Sequence, residues 1–218
     1  MRQLGFALVA AATLAACGTH VPGSAASKAQ AAARANALRG GFVQEAFGDR
    51  TYKLYVPKAL PATGNVPMVV MLHGCTQDPD QFAAGTRMNA LADKEGFLVM
   101  YPDQPRLAHA FKCWKWFDPT NQRRDGKGEP AVIAGMVEQV AKGRPVDRGA
   151  IYAAGISAGG AMTAIMGATY PDLFSAISVA SGLEFAAASS EMEGRTVMSQ
   201  GGPDPKLTGT KAFQVMGE

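Results

Sequence analysis

The chain has 218 residues, of which 47% are hydrophobic and 18% charged, and its formal net charge is +3. This composition predicts one folded domain with a substantial core and excludes a largely disordered chain. The positive charge forms no basic stripe with interleaved aromatic residues, so nucleic acid is not indicated as a partner. No phosphate-binding glycine motif and no His/Cys/Asp cluster with metal-ligand spacing occurs, so we expect neither metal nor cofactor.

Residues 1–17 are predicted to be a signal peptide. Arg2 gives a positive start, and the apolar run over residues 4–16 is too short to span a bilayer as a folded helix. Leu14-Ala15-Ala16-Cys17 resembles the bacterial lipobox, in which the cysteine is acylated. We therefore expect an exported protein, secreted or anchored to the outer membrane or periplasm through a lipid on Cys17. The alternative is ordinary signal-peptidase cleavage, with Cys17 removed or left as a free thiol.

Residues 18–40 are rich in Ala, Ser and Gly and carry no apolar periodicity that would build a core. They are interpreted as a flexible tether. The globular domain is expected to occupy residues 41–218.

Strands and helices alternate through this domain. An antiparallel hairpin is expected first, because residues 42–47 and 52–57 show two-residue alternation around a Gly48-Asp49 turn. Apolar runs then predict buried strands, and amphipathic or small-residue runs predict helices. The expected strands are 67–72, 97–102, 151–154 and 174–180, and the expected helices are 81–94, 129–142 and 158–169. The alternation predicts an α/β fold with a mostly parallel, doubly wound sheet.

A serine motif lies between the strand at 151–154 and the helix that follows. Gly155-Ile156-Ser157-Ala158-Gly159 matches the Gly-x-Ser-x-Gly elbow, in which a sharp turn exposes a strained serine above the sheet. Ser157 is thus a candidate nucleophile, and the N–H of Ala158 could stabilise an oxyanion. The alternative is an ordinary serine at a helix start, where serine is a favoured cap.

A His-Gly-Cys stretch follows the strand at 67–72. In enzymes with a serine elbow, such a loop supplies the second oxyanion N–H, which would here come from the backbone of Cys75. His73 precedes the elbow in the chain, so its position favours an orienting role in this loop over the role of general base. A catalytic thiol at Cys75 is disfavoured because no base is marked nearby.

The loop after the strand at 97–102 carries an aromatic cluster. Trp114, Trp116 and Phe117 are candidates for a substrate-binding rim, with a small core beneath the loop as the alternative. Cys113 lies beside them. In an exported protein it would pair with Cys75, which is on another loop near the elbow, and free buried thiols are the alternative.

Four motifs together resemble the polyhydroxybutyrate-depolymerase-type esterases of the α/β-hydrolase fold, a family related to feruloyl and acetyl-xylan esterases. They are residues 72–77, 112–114, 128–131 and 155–162. The resemblance covers residue 41 to the end of the chain. It implies an exported serine esterase that cuts polyhydroxyalkanoate-type or related esters through an acyl-enzyme on Ser157, with Cys75 and Ala158 at the oxyanion hole. Lys115 departs from the asparagine expected between the tryptophans.

A second departure is that no histidine follows Ser157; the three histidines are His20, His73 and His109. The family order of the triad is Ser, then Asp or Glu, then His, with the last two on loops after further strands. We therefore expect an incomplete hydrolase domain without its C-terminal strands, an unpaired sheet edge, and feeble or absent ester hydrolysis. A non-catalytic surface lipoprotein on the same scaffold and a serine peptidase remain alternatives.

Overall fold

The computed structural model describes residues 28, 32–33, 40–61, 63–124 and 126–217. The predicted signal peptide, its Cys17 and nearly all of the tether lie outside these residues. Within the described ranges, no helix combines the length and apolar character needed to cross a membrane.

Six strands and six α-helices make up the described domain. The strands are β1 (Gly41–Phe47), β2 (Arg50–Val56), β3 (Val66–Leu72), β4 (Leu98–Pro102), β5 (Val146–Ile156) and β6 (Ala176–Ala180). The helices are α1 (Pro79–Thr86), α2 (Met88–Glu95), α3 (Gly128–Gly143), α4 (Ala158–Thr169), α5 (Glu191–Gln200) and α6 (Pro205–Met216). A 3₁₀ turn, Pro119–Asn121, precedes α3.

The strands form one mixed sheet in the order β1-β2-β4-β3-β5-β6. The hairpin β1–β2 is antiparallel and β2 pairs antiparallel with β4, whereas β4, β3, β5 and β6 run parallel. The prediction of a mostly parallel sheet with an antiparallel N-terminal hairpin is confirmed. Because parallel strands end at the same edge, the loops after β3, β4, β5 and β6 meet at one end of the sheet.

The core lies on both faces of the sheet, which is why its central strands are almost continuously apolar. One cluster packs α3 and α4 against the sheet through residues such as Ile133, Val137 and Met162. A second cluster, which includes Phe82, Ala92 and Tyr101, packs α1 and α2 against the sheet.

The single helix predicted over 81–94 is wrong. The chain breaks at Arg87, which adopts φ 55° and both ends α1 and precedes α2. The Arg87 N–H donates to the carbonyl oxygen of Ala83, closing α1. The break allows Phe82 of α1 and Ala92 of α2 to join one apolar cluster.

The prediction that the last strand is buried is also wrong. All five residues of β6 are exposed, and Ile177 and Val179 each retain 41% of their accessible surface. The reason is position in the sheet: β6 pairs with β5 on one side, and no other described strand pairs with its outer edge. The outer edge of β6 is therefore unpaired among the described strands.

Candidate active site

Ser157 occupies a strained turn between β5 and α4. Its backbone lies at φ 56°, ψ −122°, a region that residues other than glycine rarely adopt. Hydrogen bonds hold it there: the Ser157 N–H donates to the carbonyl oxygen of Ala180 at 2.9 Å, and its own carbonyl accepts from the Ala161 N–H at 2.9 Å. The serine is therefore fixed at the N-terminus of α4 with its side chain exposed.

The two motif glycines are required by close backbone approach. A Cβ on Gly155 would overlap the carbonyl oxygen of Gly159, and a Cβ on Gly159 would overlap the carbonyl oxygen of Leu72. The absence of side chains at these two positions therefore makes room for the turn. The glycines also let α4 pack directly onto the end of β3.

A cavity of about 340 Å³ lies against Ser157. Cys75 and Ala158, the two predicted oxyanion residues, line it together with the serine. Within the described part of the chain, neither of their backbone N–H groups donates a hydrogen bond. The N-terminus of α4 also carries partial positive charge toward the same point. Two unpaired N–H groups thus belong to residues that line the cavity with the serine.

His73 is buried, and both of its ring nitrogens are occupied. Nδ1 lies 2.8 Å from the carbonyl oxygen of Gly74, so it must donate, and Nε2 accepts from the backbone N–H of Gln104 at 3.1 Å. Burial lowers the pKa of His73, with hydrogen bonding to Gly74 and the charge of Asp103 acting in the opposite direction. A neutral ring with no free nitrogen cannot accept the proton of Ser157. Its contacts instead orient the loop that follows β3.

The loop after β3 is joined to the aromatic loop after β4. Cys75 and Cys113 form a disulfide, with their Cα atoms 4.2 Å apart. The Thr76 N–H donates to the carbonyl oxygen of Phe111 at 2.6 Å, beside the disulfide. These contacts fix the main chain at Cys75 and at the residue that follows it.

The aromatic residues divide between core and cavity. Trp116 and Phe117 line the cavity, although Trp116 is only 5% exposed and also belongs to the main core. The prediction that Trp114 belongs to the substrate rim is wrong. Trp114 is 2% exposed, belongs to the main core and does not line the cavity. The reason is its indole N–H, which donates to the carbonyl oxygen of His73 at 3.1 Å and turns the ring beneath the loop.

Glu129 lies in the motif at residues 128–131 but was not predicted to be a site residue. It is buried and accepts hydrogen bonds from the loop beside the site. Its carboxylate accepts from the Gln104 side-chain amide at 2.6 Å and from the Lys115 N–H at 2.7 Å. Burial raises its pKa, against the opposing effect of these hydrogen bonds. Gln104 also donates to the carbonyl oxygen of Cys113 at 3.0 Å. The sequence showed only an acidic residue in the first turn of a predicted helix. It could not show the role of Glu129, because the residues that donate to its carboxylate lie on another loop.

Five further polar residues of the cavity wall were not predicted to belong to the site. They are Thr76, which lies in the loop after β3, and His109, Ser181, Glu191 and Arg195. Glu191 and Arg195 form an ion pair at 2.7 Å on one face of α5. The Arg195 guanidinium lowers the pKa of Glu191 through this hydrogen bond. Helix α5, which sequence patterning did not reveal, therefore supplies one wall.

The sheet order and the strained serine at a strand-to-helix turn define an α/β-hydrolase. The chain belongs to the family described as esterase PHB depolymerase, whose family model matches residues 50–213. It is 38% identical over 147 residues to poly(3-hydroxyalkanoate) depolymerase C of Paucimonas lemoignei, covering 67% of this chain and 34% of that protein. It is 34% identical over 146 residues to feruloyl esterase B of Thermothelomyces thermophilus, covering 65% and 48%.

Solved structures agree with this assignment. Acetyl xylan esterase from Aspergillus awamori superimposes with a TM-score of 0.72 at 26% identity, covering 81% of this chain and 66% of that one. The chain spans about a third to a half of the length of the two curated relatives named above.

Proposed function

We propose that this chain carries the nucleophile and oxyanion hole of a serine carboxylic-ester hydrolase. The observation that carries the proposal is the strained conformation of Ser157 at the N-terminus of α4, beside a cavity lined by Cys75 and Ala158. Family membership supports ester hydrolysis as the reaction class.

In this reaction the Ser157 Oγ attacks the ester carbonyl carbon. The carbonyl oxygen gains negative charge and accepts hydrogen bonds from the N–H groups of Cys75 and Ala158. Collapse of the intermediate breaks the bond to the alcohol oxygen, which takes up the proton lost by Ser157 and leaves as the free alcohol. Water then hydrolyses the acyl-enzyme, releasing the carboxylic acid and restoring the Ser157 hydroxyl. Loss of one oxyanion donor in such a site costs about 10²–10³-fold in rate.

The proton of Ser157 needs an acceptor, and the two described histidines are poorly arranged for that task. Both nitrogens of His73 are occupied, and the Nδ1 of His109 accepts from the loop main chain. Absence of a positioned base lowers such catalysis by about 10⁴-fold or more. We therefore expect this chain to acylate slowly and to turn over feebly.

For the substrate we propose a polyhydroxyalkanoate-type polyester or a related ester with an apolar body. The cavity wall contains the rings of Phe111, Trp116 and Phe117, which suit an apolar acyl or alcohol group. The relative with the highest identity named above carries the description poly(3-hydroxyalkanoate) depolymerase. Feruloyl and acetyl-xylan esters are the alternatives, since relatives with those names match as well.

The test is acylation by p-nitrophenyl butyrate, followed by intact-mass spectrometry and by nitrophenolate release. We expect slow transfer of one butyryl group to the native chain and none to the Ser157→Ala chain. Ser181→Ala is the matched control, because Ser181 lines the same cavity but lies outside the elbow. It should acylate as the native chain does.

Two outcomes would contradict the proposal. One is a butyryl adduct that persists in Ser157→Ala, and the other is no adduct on any serine of the cavity after prolonged reaction. Robust turnover dependent on Ser157 would keep the nucleophile but refute the expectation of feeble hydrolysis, and would make His109 the base to test.

A binding role without turnover is the second candidate function, favoured by the occupied nitrogens of His73. It predicts that esters bind in the cavity while Ser157 remains unmodified. The acylation experiment, paired with equilibrium binding of the same ester, separates the two functions.

We also propose export, with a lipid on Cys17 as the membrane anchor. The support is the apolar segment after Arg2 and the Leu14-Ala15-Ala16-Cys17 sequence. Metabolic labelling with a fatty acid should mark the native chain and not Cys17→Ser. Equal labelling of both would exclude a lipid on Cys17.

A further inference from the structure

His109 lies in the wall of the cavity that contains Ser157, on the loop between β4 and α3. Its Nδ1 accepts hydrogen bonds from the backbone N–H groups of Phe111 and Cys113, each at 3.3 Å. A ring nitrogen that accepts from two N–H groups holds no proton. The neutral imidazole therefore carries its proton on Nε2.

This arrangement leaves Nε2 available to the cavity. Among the described residues, none makes a hydrogen bond with the Nε2 of His109. The ring is flanked by Phe111 and Phe117, with ring centroids at 6.2 and 6.4 Å. The nearby carboxylate of Glu191 is held by Arg195 on α5. The Nε2–H group thus borders a mainly apolar wall.

We propose that His109 is a specificity-determining residue that donates its Nε2–H to a second oxygen of the ester substrate. This inference rests on the proposed function. The favoured substrates are esters with an acceptor oxygen near the scissile carbonyl, such as hydroxyacyl esters, and plain alkyl esters are disfavoured. A polar donor in an apolar pocket discriminates because an analogue without the oxygen leaves that donor unpaired.

The same tautomer argues against His109 as the base for Ser157. A base must present an unprotonated nitrogen to the serine hydroxyl, and the unprotonated Nδ1 is already engaged with the loop. Moving the proton to Nδ1 would break both backbone hydrogen bonds beside Cys113, whose disulfide fixes Cys75.

The first test reads the tautomer directly, using long-range ¹H–¹⁵N correlation of the histidine rings at neutral pH. His73 is an internal control, since its contacts require the opposite tautomer, with the proton on Nδ1. His20→Gln and His109→Gln assign the signals. We expect Nε2–H for His109 and Nδ1–H for His73. A proton on Nδ1 of His109 would overturn the proposal.

The second test measures binding to the Ser157→Ala chain, which cannot be acylated at that position. The probes are ethyl β-hydroxybutyrate and ethyl isovalerate, which differ by a hydroxyl in place of a methyl group. One neutral hydrogen bond corresponds to a preference of about two- to tenfold for the hydroxy ester. Chemical-shift titration of the His109 ring gives the dissociation constants and shows whether Nε2 is the site of contact.

Two variants separate binding from loop anchoring. In His109→Asn the side-chain oxygen can replace Nδ1 as the acceptor, but the donor at the position of Nε2 is lost. The preference for the hydroxy ester should therefore disappear, as measured by Trp fluorescence on binding. In His109→Gln the amide can reach the place of Nε2, so part of the preference should return. A preference unchanged in His109→Asn, or absent in the Ser157→Ala chain with native His109, would refute the inference.

These results do not depend on catalysis. Failure of the proposed function would appear as an absence of acyl transfer to Ser157, with the tautomer and the binding preference still measurable. The native-histidine measurements also keep the inference testable if either His109 variant fails to fold.

Discussion

Removal of the Cys75–Cys113 disulfide should destabilise the folded chain without dismantling the elbow. The bond closes a sequence separation of 38 residues that contains α1, α2 and β4. In the unfolded chain this cross-link restricts the ensemble, and its removal restores that freedom. In the folded chain, the hydrogen bond from Thr76 to Phe111 and that from Trp114 to His73 still join the two loops.

The size of the effect follows from loop length. For a separation of 38 residues, the chain-entropy relation gives a loss of about 13 cal/mol/K on closure, or about 4 kcal/mol at room temperature. Measured values for native disulfides commonly fall at about 2–4 kcal/mol. In a domain of this size, 4 kcal/mol corresponds to a fall in Tm of about 8–16 °C.

The assay is urea unfolding of Cys75→Ala/Cys113→Ala against the parent chain, both in a Cys17→Ser background to prevent mixed disulfides. The parent treated with reductant is the control and should match the double variant. Coincident fluorescence and circular dichroism transitions are needed for two-state analysis. A loss below about 1 kcal/mol would refute the loop-closure argument, and loss of the folded structure would show that the hydrogen bonds between the loops cannot hold them.

Three further changes test the elbow, the buried acid and the sheet edge. Gly159→Ala should cost about 3 kcal/mol or more, because its Cβ would overlap the carbonyl oxygen at the end of β3; Gly85→Ala, where a Cβ meets open space, should cost nothing in the same unfolding assay. Burial raises the pKa of Glu129 in the folded state above its value of about 4.3 in the unfolded chain. Between these two pKa values the carboxyl is ionised in the unfolded chain but protonated in the folded one, so the free energy of unfolding falls as pH rises. The stability advantage of the parent over Glu129→Gln should therefore shrink with rising pH across this window in urea titrations, and an advantage that grows would contradict the sign. Ser178→Lys on exposed β6 should suppress aggregation seen by light scattering, whereas Ser199→Lys on α5, with the same added charge, should not.

Local features of the site were predictable from sequence because neighbouring residues create them. The Gly-x-Ser-x-Gly turn contains the glycines that its backbone contacts demand, and a strand and a helix flank it. The strand–helix alternation likewise predicted the parallel sheet. The pairing of Cys75 with Cys113 could be inferred because both loops follow strands that end at the same edge.

Features set by distant partners were not predictable in this way. Trp114 is buried because its indole N–H meets a carbonyl 41 residues away, and its sequence neighbours Trp116 and Phe117 line the cavity. Glu129 gains its role from Gln104, which belongs to another loop. For Trp114 and Glu129 the deciding interaction is long-range, and the local pattern carries no record of it. The break at Arg87 is local instead, and it was missed because the residue that adopts φ 55° is neither glycine nor proline.

The site combines a rigid elbow with two histidines whose backbone contacts determine where their protons lie. His73 donates through Nδ1 to Gly74, and His109 accepts through Nδ1 from Phe111 and Cys113. Both rings thereby hold the loops that carry the oxyanion candidate Cys75 and its disulfide partner. Moving the proton on either ring, so that a nitrogen could act as a base, would break these hydrogen bonds. The loop that positions Cys75 would then loosen. Within the described residues, holding the loop of the proposed oxyanion donor and accepting a proton from Ser157 would therefore compete for the same histidine nitrogens, and the hydrogen bonds are those of the first task.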